Sequence, residues 1–347
     1  MDMILGIALI LAGFYMAWNI GANDLANAMG TSVGSKALTI KKVIILAAIF
    51  ELAGAVLFGG KVTGKIAKGI VPIDLIIQIN PDIVAVGMLA AVLASGFWIT
   101  FATFYNLPVS TTHSIVGSVL GFGLICVYYG FIPFSVIQWI VIVQIILSWL
   151  VSPLLGGILA FIVFHIIRRQ FLSKAENVSK VEQRFIVLQI ITACYVAFAH
   201  GSNDVANAIG PLYAVFETNG FSGVLGLDLI NSLLLLGGIG IVFGLSTWGY
   251  KVINTVGHKI TELTPTRGFS AELATATVVL AHSAYALPIS TTHTLVGAVI
   301  GVGLAGGLSR VNLKVIKNII VSWIITVPAS ALTAGIVFLG LAQFFLG

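Results

Sequence analysis

What this chain has least of is charge. Only 8% of its 347 residues are Asp, Glu, Lys or Arg, against roughly 25% in soluble globular domains. With 59% hydrophobic residues and a mean hydropathy of +1.10, that scarcity excludes a water-soluble fold and predicts an integral membrane protein. Cysteine is almost absent too. Cys126 and Cys194 both lie in apolar sequence, and two such residues supply neither a disulfide framework nor a cysteine metal centre. No stretch is long and polar enough for a soluble enzyme domain. Lys and Arg fall in short loops between apolar runs, so the net charge of +5 reflects topology and not a nucleic-acid partner. A basic leader is also missing: Asp2 opens the chain and the first Lys or Arg is Lys36, which argues against a cleavable signal peptide.

What is present is apolar sequence near or beyond the ~18–20 residue spanning length. The runs are Val43–Gly59, Ile83–Phe104, Ser114–Tyr129, Phe134–Ile167, Val224–Gly249 and Val315–Phe345. Phe134–Ile167 and Val315–Phe345 exceed one span, and a turn is expected in each near Pro153 and Pro328. The 38 glycines fit close helix packing and broken helices.

Two motifs occur twice. GANDLANAMG (Gly21–Gly30) returns as GSNDVANAIG (Gly201–Gly210) with seven identities in ten. LPVSTTHSIVG begins at Leu107 and LPISTTHTLVG at Leu287; over Leu107–Leu124 and Leu287–Leu304, twelve of eighteen positions agree. Both pairs are offset by 180 residues, which marks a duplication. The halves are residues 1–167 and 185–347. Between them the hydrophilic connector 168–184 holds five Lys/Arg and two Glu, so it belongs in the cytoplasm. No Lys or Arg precedes Lys36 or follows Lys317, which puts both ends outside. Each half then crosses the membrane an odd number of times, and the halves are mutually inverted. The expected fold is an all-α polytopic membrane protein built as an inverted repeat, with its site at the repeat interface near the midplane.

Pro108 and Pro288 cannot continue an incoming helix but suit the first turn of an outgoing one. Each LP[VI]STTH segment therefore starts a helix inside apolar sequence. Irregular backbone at membrane depth must be buried in protein or line a cavity, so each segment is expected at the tip of a re-entrant helical hairpin. A helix start offers unpaired N–H groups and positive potential. Ser110, Thr111, Thr112, Ser290, Thr291 and Thr292 add hydroxyls there, a set suited to an oxyanion. A single Ser or Thr at such a place is more often only a cap; symmetric repetition favours the substrate role. His113 and His293 are ambiguous between packing and a ligand or proton role.

Asp24 and Asp204 follow apolar approaches, and a carboxylate near the bilayer centre costs about 2.5–3.5 kcal/mol on insertion scales. On a helix, Asn23 and Asn27 share a face, as do Asn203 and Asn207. Amide and carboxylate oxygens form a hard set that suits sodium, and the flanking glycines with Pro211 are expected to permit an unwound stretch. Helix-to-helix hydrogen bonding is the competing role for the Asn residues. Neither motif contains Lys or Arg, so an anion bound beside the two aspartates needs mobile cations. Two further carboxylates stand in apolar surroundings: Glu51 in mid-span, and Glu272, which also reads as a first-turn helix residue. His200, His282, Trp18 and Tyr105 neighbour the motifs without a spacing signal of their own.

At these residues the chain resembles the inorganic phosphate transporter family. The matching pieces are GANDLANAMGTSVGSKALT, FELAG, GSNDVANAIGP, GFSAELA and both LP[VI]STTH segments. The resemblance implies cation-driven phosphate import through an inverted repeat with two re-entrant hairpins, often as a homodimer. It also implies transport roles for Asp24, Asp204, Glu51 and Glu272, with the STT triplets and neighbouring Asn residues at the substrate and cation sites. The short connector 168–184 stands where long-looped eukaryotic members carry a large loop. The expectation is thus a non-enzymatic symporter of inorganic phosphate in the plasma membrane, coupled to sodium, with no resident cofactor. Rivals are proton-coupled transport of phosphate or metal-phosphate, a sulfate carrier, a passive anion channel, and an intramembrane Ser/His hydrolase.

Overall fold

In lipid every backbone polar group must be satisfied internally, which leaves helices for a chain of this composition. The computed structural model describes residues 2–253, 262–307 and 312–346, and among these no strand occurs. The first half contains α1 (Met3–Gly34), α2 (Ile40–Phe58), α3 (Gly60–Lys68), α4 (Ile73–Ile79), α5 (Pro81–Phe104), α6 (Thr111–Tyr128) and α7 (Trp139–Ile167). The second contains α8 (Val178–Thr218), α9 (Leu229–Thr247), α10 (Pro265–Ala284), α11 (Thr291–Gly306) and α12 (Leu313–Phe345). Seven of the described helices are long and apolar enough to cross a membrane, and the pair α2–α3, bent by 66°, passes the same test only if its two pieces count as one span.

The expected turns at Pro153 and Pro328 are not there. Both prolines lie inside continuous helices, α7 and α12. A proline within a membrane helix frees a carbonyl one turn back, which neighbouring helices can accommodate. Here the neighbours are unusually close: Gly117 lies against the Val327 backbone and Gly297 against the Pro153 backbone, where a Cβ would overlap main chain. The glycines of the two Asp motifs likewise do not unwind their helices. α1 runs unbroken through Gly21, and α8 through Gly201 and Pro211. Gly21 abuts the Ile241 carbonyl and Gly201 the Glu51 carbonyl. Their function is close approach, as small residues serve between membrane helices.

The duplication is legible in packing. α1 lies on α9 as α8 lies on α2, and α6 lies on α12 as α11 lies on α7. Each half therefore completes the other. The connector 168–184 is only partly a linker, because α8 already begins at Val178.

Each hairpin turn follows from its sequence. α5 ends with Leu107 N–H donating to the Ala102 carbonyl and Asn106 N–H to Thr103, and α10 repeats this with Leu287 to His282 and Ala286 to Ser283. That is a Schellman ending, in which the residue after the helix takes a left-handed conformation; Asn106 and Ala286 both have φ of 56°. Pro108 and Pro288 then stop any continuation. The next helix is started by Ser110 or Ser290, whose side chain accepts from the backbone N–H of His113 (3.2 Å) or His293 (3.1 Å).

Candidate functional site

Both hairpin tips end at one buried polar cluster on α1 and α8. Asp24 and Asp204 are 0% exposed there. Thr111 donates to Asp24 Oδ2 at 3.0 Å, and Thr291 to Asp204 Oδ2 at 2.6 Å. Asn27 Nδ2 donates to Asp24 Oδ1 at 2.5 Å and Asn207 Nδ2 to Asp204 Oδ1 at 3.3 Å. The halves then cross. Asn27 donates to Thr292 (2.7 Å) and Asn207 to Thr112 (3.1 Å), while Thr112 donates to the Ile289 carbonyl and Thr292 to the Val109 carbonyl.

The candidate residues divide by what they do. Ser110 and Ser290 cap α6 and α11, so part of the hydroxyl set performs the ordinary capping role. Asn23 ties down the first tip through Thr103, the Leu107 carbonyl and the Val109 N–H. Asn203 holds the second tip through the Ile289 carbonyl at 2.9 Å and also donates to Asp204. Asn27 and Asn207 differ from these two. Each spends its amide nitrogen on an aspartate and a threonine, and Oδ1 of each is buried without a hydrogen bond. Because the nitrogen must face the carboxylate, the orientation of both amides is fixed. Two symmetric amide oxygens are left beside two carboxylates, the donor chemistry of a hard cation.

Sequence reasoning missed the centre of the cluster. His200 is 1% exposed, with Nε2 2.9 Å from Asp204 Oδ2 and 3.6 Å from Asp24 Oδ2, and Nδ1 3.3 Å from Glu51 Oε2. These contacts have ion-pair distances without hydrogen-bond alignment. The two motifs bring no Lys or Arg to the cluster, as expected, but His200 adds an imidazole that the motif reading leaves without a role. One imidazole faces three carboxylates, so a protonated His200 can balance at most one negative charge. The signal was a break in the repeat: Ile20 stands where the second half has His200, and Ile241 occupies the packing position of Glu51.

Glu272 forms a second polar centre. It lies well inside α10, not in its first turn. Oε1 accepts from Thr31 (2.6 Å), Ser32 (2.7 Å) and Gln189 (3.2 Å), and Oε2 from Thr192 (2.7 Å). This carboxylate binds α10 to both α1 and α8. No Ser–His side-chain pair forms among the described residues: His113 Nδ1 reaches the Trp323 carbonyl and His293 Nδ1 the Trp149 carbonyl.

Apolar spans around a charged, enclosed centre shared by two repeats define a multi-span membrane transporter. Comparison with known proteins gives the particular kind. The model of the phosphate transporter family matches residues 20–334. A Chlamydia muridarum protein named "Putative phosphate permease" is 39% identical, with 98% of this chain and 99% of that one covered. The Arabidopsis thaliana "Inorganic phosphate transporter 2-1, chloroplastic" is 37% identical over 95% of this chain and 71% of its own length. A solved structure named "The sodium-dependent phosphate transporter" matches with a TM-score of 0.86 and 38% identity, covering 98% of this chain and all of that one. The chain belongs to the phosphate transporter family.

Proposed function

We propose that the protein is a sodium-coupled symporter of inorganic phosphate in the plasma membrane, working by alternating access between two inverted repeats. Phosphate binds at the facing starts of α6 and α11, where Ser110, Thr111, Thr112 and their mates Ser290, Thr291 and Thr292 gather hydroxyls and backbone N–H groups. Sodium is held by Asp24 with Asn27 and by Asp204 with Asn207, while Asn23 and Asn203 fix the tips against them. The carrying observation is the symmetric pair of buried amide oxygens, Asn27 Oδ1 and Asn207 Oδ1, each beside an aspartate.

The same hydroxyls now donate to the aspartates. When sodium neutralises Asp24 and Asp204, Thr111 and Thr291 can turn their donors toward the anion. Cation and anion binding are then one event, and the anion leaves once the cations do. The inverted orientation is supported by the reciprocal packing of the halves. Sodium as partner is supported by the donor set and by the likeness to a solved sodium-dependent transporter.

His200 favours one second reading. An imidazole at 2.9 Å from Asp204 could exchange a proton with the centre, and proton coupling would use the same carboxylates. Proteoliposomes decide between them. Phosphate uptake driven by an inward sodium gradient at equal pH is the expected result. Uptake that ignores sodium and follows an imposed proton gradient would replace the sodium assignment.

A further inference from the structure

The site described above leaves one set of buried polar groups unused. His113 and His293, each directly after an STT triplet, are 4% exposed and meet edge to face with ring centroids 4.3 Å apart. His113 lies over Trp149 at 3.7 Å while its Nδ1 reaches the Trp323 carbonyl at 3.5 Å. His293 lies over Trp323 at 3.5 Å while its Nδ1 reaches the Trp149 carbonyl at 3.2 Å. The four residues come from α6, α7, α11 and α12, so this knot ties both hairpins to both proline-containing helices.

A carbonyl only accepts, so each neutral ring carries its proton on Nδ1 and presents Nε2 as a lone pair. Neither Nε2 makes a hydrogen bond, and neither does Nε1 of Trp149 or of Trp323. Buried polar atoms are normally satisfied, and four unsatisfied ones in a single symmetric knot mark a site. The indole donors and imidazole lone pairs together do not suit a metal ion, which needs acceptors only.

We propose that the His113–His293 pair is a proton-binding site separate from the aspartate centre, and that a proton taken up there loosens the junction of the two hairpins. The proton adds to one Nε2 lone pair. The resulting imidazolium is enclosed by Trp149 from α7 and Trp323 from α12, and among the described residues no carboxylate forms an ion pair with either ring. Asp24 on α1 and Asp204 on α8 accept hydrogen bonds from Thr111 and Thr291, each two residues before a ring in sequence. The other acidic, basic and histidine side chains on packed elements are Asp82 on α5, His165 on α7, Lys180, Glu182, Arg184, His200 and Glu217 on α8, Arg267, Glu272 and His282 on α10, and Lys314 and Lys317 on α12. Indole faces offset part of the lost hydration. The rest is recovered only if the rings separate and admit water. A second proton is opposed by the first, so the pair takes one.

The experiment needs neither phosphate nor sodium, so it fails or succeeds independently of the symport reading. Imidazolium quenches a stacked indole. Tryptophan fluorescence of the purified wild type is followed from about pH 8 to about pH 3, a window that extends beyond the range in which a free histidine changes charge. The Trp149→Phe/Trp323→Phe variant assigns the signal. The expected result is one sigmoidal loss of the Trp149/Trp323 contribution, accompanied by faster amide exchange in segments 105–110 and 285–290. Both changes should vanish in His113→Asn/His293→Asn, which keeps the donation to the carbonyls and cannot take the proton. A wild-type titration that is flat in fluorescence and exchange overturns the proposal, whether or not the double variant folds. An unchanged acid response in the Asn variant overturns it too.

Discussion

Asn27, on the long first helix, donates to the Thr292 hydroxyl at 2.7 Å, joining the first half to the hairpin of the second. The bond fixes the amide nitrogen and leaves Oδ1 buried without a hydrogen bond, where the proposed function puts a sodium ion. Asn27→Ala should therefore raise the sodium concentration for half-maximal phosphate uptake by roughly 10-fold, the scale set by one lost hydrogen bond to a buried partner. Asn207→Ala should do the same. Uptake measured against sodium concentration at fixed phosphate is the check; an unchanged sodium dependence would assign both residues to packing.

The aspartates admit a sharper substitution. Asp24→Asn and Asp204→Asn keep size and remove the negative charge that requires a cation. Each should abolish sodium-driven uptake in proteoliposomes while the purified protein keeps its elution volume and helicity. Wild-type sodium coupling in either variant would contradict the role given to that residue.

The architecture was readable because its signals are periodic. Composition named the solvent, and two motifs at one offset named the duplication. The hairpin starts followed from Pro108 and Pro288, whose chemistry is local. What the sequence hid is what depends on partners far along the chain. Pro153 and Pro328 suggest turns in isolation because a proline's effect depends on the neighbouring helix, and Gly297 and Gly117 supply neighbours close enough to keep those helices whole. His200 carried no repeat, and its meaning appears only when α2 brings Glu51 beside it. Symmetry finds what both halves share; Glu51 and Glu272, the carboxylate additions to one half, stood out by composition, but their partners required the fold.

Glu272 is one of those additions, and its test is structural. Glu272→Ala would strip Thr31, Ser32, Thr192 and Gln189 of their common acceptor. A buried donor left unmet costs about 1–3 kcal/mol, so several together should lower the melting temperature in detergent markedly or prevent recovery of folded protein. Glu272→Gln retains one acceptor oxygen and fills the space, and should lie between wild type and Ala. A Glu272→Ala variant as stable as wild type would mean that the four donors find other partners.

The two hairpin turns share a backbone but not a residue. At φ of 56°, Asn106 occupies the first turn and Ala286 the second. Asn visits the left-handed region readily through its short polar side chain, whereas a Cβ without that compensation costs roughly 1–2 kcal/mol there. Glycine removes the clash and adds some unfolded-state entropy. Ala286→Gly should therefore raise the thermal midpoint modestly, by a net stabilisation of about 1 kcal/mol or less. Ala286→Val should lower it, since a β-branched side chain is a poorer fit to positive φ. Matched melts of the three proteins in one detergent give the order. Gly above Ala above Val supports a tip held in strained geometry by the Schellman bonds and Pro288; Val at or above Ala would show that the turn at Ala286 has relaxed out of the left-handed region.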